Sequence, residues 1–339
     1  MRASPRPVSR AAQLARLGFA DPARADTLLD DPALAGLTDP LDEVFGDGLT
    51  DALSQVADPD LALFGLVRLM ESLRLNDIDG EDPGGELIAA LRHAGQGRDR
   101  LLAVLGASSA LGDHLVTHPG HWRWVTDAGR QGAAERRDAL VAAVTTAGSN
   151  GGTMSAYDAL RVAYRRNLLG IAALDLTAEK AVDELPPTAA ALADLAAGAL
   201  EAALVIARAE VGEAADTCRF AVIGMGKCGG RELNYVSDVD VIFVAEPVSE
   251  SATDEAAALA VGAQLATALM RACSAATAEG TLWPVDAALR PEGKNGPLVR
   301  TVASHLQYYQ RWAKTWEFQA LLKARTVAGD ADLGREYLD

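Results

Sequence analysis

Residues 224–243 read GMGKCGGRELNYVSDVDVIF, behind the apolar run RFAVI at 219–223. Gly224, Gly226 and Gly229 match the spacing G-x-G-x-x-G, the glycine loop that joins a strand to a phosphate-binding helix. A dinucleotide fold needs a full crossover helix after those glycines, before the next parallel strand. Here the next strand is expected by Asp238, twelve residues after Gly226, and the pair Gly229-Gly230 weakens any helix at its start. The letters match a dinucleotide fingerprint, but their context argues against one.

The other half of the stretch, SDVDVIF, supplies the alternative. Asp238 and Asp240 lie two apart on an expected strand, so both carboxylates project from one face, separated by two rises of roughly 3.3 Å. Bare carboxylates on such a face are costly, whereas a hard divalent cation requires their oxygens. Asp286, on a further expected strand in GTLWPVDAALRP (280–291), offers a third carboxylate. Such a set can hold two metals about 3.5 to 4 Å apart. The amides of Gly224 to Gly230 can then approach phosphate closely, because glycine lacks the Cβ that would block them, and Lys227 adds a charge. Singly, a D-x-D is more often a solvated strand end and a glycine cluster an ordinary hairpin. In this order, the three parts describe nucleotidyl transfer.

Outward from this stretch, the first two hundred residues are rich in Ala and Leu at helical spacing. Asp-Pro recurs at Asp21, Asp31, Asp39, Asp58 and Asp82. The Asp carboxylate accepts from free first-turn amides, and Pro at the first helical position has no donor to leave unpaired. Helices are also expected from Ser155 and over TAAALADLAAGALEAALVIARAE (188–210), then from about Thr253 to Ala278. VASHLQYYQRWAKTWEFQALLKAR (302–325) reads as one more, with aromatic residues three and four apart. The pattern predicts an α+β chain: a helical N-terminal region over 1–150, then a catalytic α+β domain over 151–339.

The chain has 339 residues, and its 47 acidic against 31 basic residues give a net charge of −16. That balance disfavours broad nucleic-acid binding, so any phosphate site must be local. Three cysteines without a C-x-x-C pair suit a reducing, cytoplasmic compartment. No signal peptide is read at the start, and no stretch approaches eighteen apolar residues free of charge, so membrane insertion is not expected.

His114, His118 and His121 read as capping or packing histidines, since Pro119 interrupts the helix that would align the last two. The aromatic residues Tyr308, Tyr309, Trp312, Trp316 and Phe318 read as core packing, with adenine stacking as the alternative. Arg161, Arg165 and Arg166 read equally well as phosphate ligands or as a solvated helix edge, with Glu292 and Glu317 as candidate ion-pair partners. Glu232 and Asn234 are expected to brace the loop through its backbone.

GMGKCGGRELNYVSDVDVIF, VDAALRPEGKNGPLV (285–299) and YYQRWAKTWEFQALLKARTVAGD (308–330) together resemble the glutamine synthetase adenylyltransferase and adenylyl-removing enzymes. LRVAYRRNLLGIAALDL (160–176) is similar to the helix before that family's catalytic core. The resemblance implies a DNA polymerase β-like nucleotidyltransferase fold, with a small mixed sheet and flanking helices. Members carry two catalytic halves, one removing AMP from glutamine synthetase by phosphorolysis and one attaching it. One catalytic set behind a helical leader implies the adenylyl-removing half of a longer, two-headed protein, whose C-terminal adenylyltransferase half would be a partner.

Residue by residue, the resemblance implies metal binding by Asp238, Asp240 and Asp286, with two Mg²⁺ or alternatively Mn²⁺. It implies nucleotide-loop roles for Gly224, Gly226 and Lys227, extended to Gly229, Gly230 and Ser237. Arg290, Lys294, Lys323 and Arg325 are candidates for phosphate. Orthophosphate would attack the AMP-tyrosine and leave as ADP, and a PII-type signal protein is a further candidate partner. The competing readings are ATP-dependent adenylylation and a catalytically silent docking module.

Overall fold

Aspartate caps start four helical segments of the N-terminal region. In the computed structural model, which describes residues 9–37, 48–75, 82–92, 94–149, 154–248 and 252–339, Asp21 accepts from the Arg24 amide, Asp31 from Ala33, Asp58 from Leu61 and Asp82 from Gly85. Each such cap is worth about 1 kcal/mol to its helix. Asp39-Pro40 lies outside the described residues.

The chain forms two compact units, one of residues 1–130 with 169–181 and the other of 131–168 with 182–339. The first unit is helical. Its helix Pro59–Leu75 packs on Gln96–Ala107, burying Leu63, Leu66, Leu69 and Met70 with Leu101, Leu102 and Val104. The helix Ala133–Ser149, on the N-terminal side of the division expected at residue 150, belongs to the second unit.

The second unit holds the sheet. Its strands are β1 (Cys218–Gly224), β2 (Val239–Pro247), β3 (Val285–Asp286), β4 (Val299–Arg300) and β5 (Arg325–Gly329). The order is β3-β2-β1-β5, with β4 also on β2. β1 runs antiparallel to both β2 and β5, whereas β2 runs parallel to both β3 and β4. This is the small mixed sheet of an α+β nucleotidyltransferase-like fold.

Ala221, Ile223, Ile242 and Val244 pack on one face with Leu333 of the helix Ala331–Leu338, joined by Val302, Leu321 and Tyr337. On β2, Asp240 precedes Ile242 and Val244 in steps of two, so its side chain continues their row. Phe220 and Phe243 stack at 5.7 Å between centroids. Nearby, Gly262 of the helix Ala252–Ser274 approaches Ala245 so closely that an added Cβ would lie 2.8 Å from it.

Several expectations shift. The helix expected over 302–325 is two, Val302–Arg311 and Thr315–Leu321, followed by β5. The second is capped by Glu317, which accepts from the Lys314 amide and the Tyr308 hydroxyl. Phe318, Trp312 and Trp316 are exposed, so that aromatic row is only partly core. Ala181–Thr217 and Glu255–Ser274 are, by length and composition alone, apolar enough to cross a membrane. The apolar window of the first is 72% buried within the protein.

Candidate active site

The glycine loop and the acidic strand close on each other. Met225 donates its amide to the Asp240 carbonyl at 2.8 Å, which brings the loop alongside the start of β2. Gly226 adopts φ +52, and a Cβ there would stand 2.8 Å from Asp240 Oδ2. Glycine is required twice over at this position, for its backbone conformation and for the space it leaves.

Gly226–Gly229 forms one helical turn. The amides of Gly229 and Gly230 turn inward to the carbonyls of Met225 and Gly226. The leading amides, those of Gly226, Lys227 and Cys228, are the ones a helix start leaves without an intrahelical acceptor. The run of loop amides without an intrahelical acceptor is therefore shorter than Gly224 to Gly230. Gly224 ends β1 against Val327, and Gly229 passes so near the Lys323 and Gly224 carbonyls that any side chain would collide with them.

Asp240 and Asp286 are direct partners in the parallel pairing of β2 with β3. Neighbouring strands lie about 4.8 Å apart, and partners in register share a face. Asp238 stands immediately before β2, exposed to solvent. Burial raises the Asp240 pKa above its ordinary value, the charges of Asp286 and Asp238 raise it further, and Lys227 opposes them. Asp286 and Asp238 thus stand near enough to Asp240 for their charges to act on it. Asp286 Oδ1 also accepts from the Ala288 amide at 2.7 Å, which fixes its orientation.

The basic candidates are placed differently. Arg290 directs its guanidinium at the carbonyls of Ala287, Lys294, Gly296 and Pro297, holding together the loop after Asp286. Arg325, on β5, donates to the carbonyls of Gly229 and Cys228 at 3.2 and 3.1 Å. Lys323 pairs with Glu232, and Lys227 donates to Asn234 Oδ1 at 3.3 Å. Glu232 and Asn234 thus brace the loop through side chains, where backbone contacts were expected. Ser237 Oγ donates to the Asp238 carbonyl at 3.0 Å.

Arg161 is neither a phosphate ligand nor a solvated edge. It is wholly buried in the helix Ala156–Leu176 and donates to the carbonyls of Tyr157, Gly280 and Ala275. Arg165 donates to the Glu279 carbonyl, and Trp283 donates to the Tyr164 hydroxyl at 3.2 Å. These three side chains anchor the segment that leads into Asp286. Glu292 pairs with Arg300, not with this helix. In the first unit, His114 Nε2 and His121 Nδ1 share a hydrogen bond at 3.0 Å. Cys228 is buried, and burial pushes its thiol up to about 11, so it stays protonated near neutral pH.

Fold and loop together define a chain of the nucleotidyltransferase class. The family model for Glutamate-ammonia ligase adenylyltransferase matches residues 98–339, and this chain belongs to that family. It is 52% identical, over all of its own length, to the bifunctional glutamine synthetase adenylyltransferase/adenylyl-removing enzyme of Streptomyces avermitilis. It is 47% identical over 95% of its length to the protein of the same description in Mycobacterium tuberculosis. The Cutibacterium acnes relative is 46% identical over 85% of the chain. The chain spans 32%, 30% and 29% of the lengths of these relatives, respectively.

Proposed function

We propose that this chain removes AMP from the adenylylated tyrosine of glutamine synthetase by phosphorolysis. One observation carries the reading: the glycine loop seats directly against Asp240, whose strand partner is Asp286. That is a phosphate cradle beside a cluster of acids, and membership of the family supplies the substrate class.

The acids suit a divalent cation. Asp240 is raised by burial and by two like charges, a disfavoured arrangement that a hard cation relieves. Asp238, Asp240 and Asp286 would hold Mg²⁺ or Mn²⁺, which when bound neutralises phosphoryl charge and polarises the phosphorus for attack.

In the reaction, an orthophosphate oxygen bonds to the phosphorus of AMP-tyrosine and the bond from phosphorus to the tyrosine oxygen breaks. The electron pair stays on that oxygen, which takes up a proton as tyrosine, and the new phosphoanhydride leaves as ADP. The chain's own part is positioning: the first-turn amides and Lys227 orient the phosphate, and Gly226 leaves it room to approach Asp240.

The chain, incubated with Mg²⁺, phosphate and adenylylated glutamine synthetase, should release ADP. Pyrophosphate formed instead from ATP and unmodified glutamine synthetase would assign the reverse chemistry. Neither product, from a chain that melts cooperatively, would reduce it to a docking module.

A further inference from the structure

A buried acid lies behind the glycine loop, far from it in sequence. Asp194, on the helix Ala181–Val211, is 5% exposed. Arg231, the residue after the loop's last glycine, grips it with both arms of its guanidinium, Nε to Oδ1 at 3.1 Å and Nη2 to Oδ2 at 2.6 Å. Arg325 Nη1 stands 3.9 Å from the same Oδ1. Arg325 in turn holds the carbonyls of Cys228 and Gly229. One carboxylate therefore gathers the end of the loop and the strand beside it.

The backbone adds a second observation. Arg231 has φ +56, and Glu292 is the only other non-glycine residue with positive φ among the described residues. An L-residue is held there only when its surroundings over-determine it. The two-armed pair is that constraint, since it matches guanidinium to carboxylate in a single planar geometry.

We propose that Asp194 is a positioning residue for the nucleotide loop. It clamps Arg231 and Arg325 so that the turn Gly226–Gly229 meets Asp240 in one fixed arrangement. This rests on the loop being the nucleotide cradle, and deepens that reading by naming what holds the cradle in place. Asp194 itself reaches neither substrate nor metal.

Two variants test it. Asp194→Asn keeps the shape but removes the charge that both arginines require. Arg231→Gly removes the grip while replacing a residue at positive φ with the one that adopts it freely, so backbone strain is not added. Arg231 is half exposed, so this variant stays informative should Asp194→Asn fail to fold.

Amide hydrogen exchange, read by mass spectrometry on the free chain, should speed up over residues 226–231 in both variants and stay unchanged over 242–245 of β2. ADP titrated with Mg²⁺ should bind about tenfold more weakly, the scale typical of a lost supporting contact. Loop exchange at the wild-type rate in folded Arg231→Gly would overturn the clamp, as would faster exchange spread evenly over the unit. Faster exchange confined to the loop, with no ADP binding even by the wild-type chain, would support the clamp and overturn the nucleotide reading instead.

Discussion

Gly226 faces Asp240 with no room for a side chain between them: a Cβ on the glycine would lie 2.8 Å from the aspartate's Oδ2. The loop can move away only by breaking the bond from the Met225 amide to the Asp240 carbonyl. Gly226→Ala should therefore act on chemistry more than on folding. A strained φ and a displaced carboxylate cost roughly 1–3 kcal/mol of stability, while a misplacement near 1 Å can lower kcat about 100-fold. Thermal melting and the ADP-release assay, run side by side, separate the two effects.

With Asp238, Asp240 and Asp286 holding the metal as proposed, Mg²⁺ should stabilise the chain, because the unfolded chain offers no such set. At a hundredfold excess over its Kd the gain is about 2.7 kcal/mol, read as a rise in Tm that chelation reverses. Asp240→Asn should remove most of that rise while leaving the metal-free Tm equal or higher, since a like charge is gone from among Asp238 and Asp286. Asp238→Asn should abolish ADP release with the metal-free transition nearly unmoved. An active Asp238→Asn chain would end the metal assignment.

His305 should make the fold sensitive to acid. It is 2% exposed, with Nδ1 at 3.0 Å from the Thr301 carbonyl and no partner at Nε2, and burial lowers its pKa to about 4. A carbonyl only accepts, so Nδ1 carries the proton and Nε2 is bare. Above the unfolded value of 6.5 both states are neutral and the contribution is flat. As pH falls from there towards about 4, the unfolded chain binds the extra proton and the folded chain does not, so stability is lost. The full loss is about 3 kcal/mol at 1.36 kcal/mol per unit. Urea unfolding across that window should show the slope, and His305→Leu should flatten it.

Arg290→Lys should loosen the loop after Asp286. An ammonium cannot reach the carbonyls of Ala287, Lys294, Gly296 and Pro297 together, as the fork of a guanidinium does. The expected result is a fall in Mg²⁺ affinity of about tenfold, comparable to the loss of a supporting residue at a metal site, measured by titration of the Tm shift.

Local chemistry was legible in the sequence. Asp-Pro caps announce helix starts wherever the chain is described, and the short span from Gly226 to Asp238 already separates this loop from a dinucleotide fold. Partners distant along the chain were not. β5 follows a helical pattern without punctuation, and its pairing with β1 is what turns Arg325 towards the loop carbonyls. Arg161 and Arg290 read as free cations because periodicity does not show which carbonyls a guanidinium will meet. Asp194 looks like one acid on an Ala-rich helix, and only the packed fold reveals that it faces Arg231.

β3 is a ladder of two residues, too short to hold Asp286 still by strand pairing alone. The steadiness comes from Arg161, Tyr164 and Arg165, side chains of a helix that precedes the whole sheet in sequence. The smallest excised piece with its third acid properly seated would thus begin at or before Tyr157. A core trimmed to the strands and their covering helices would keep the motif yet lose its foundation.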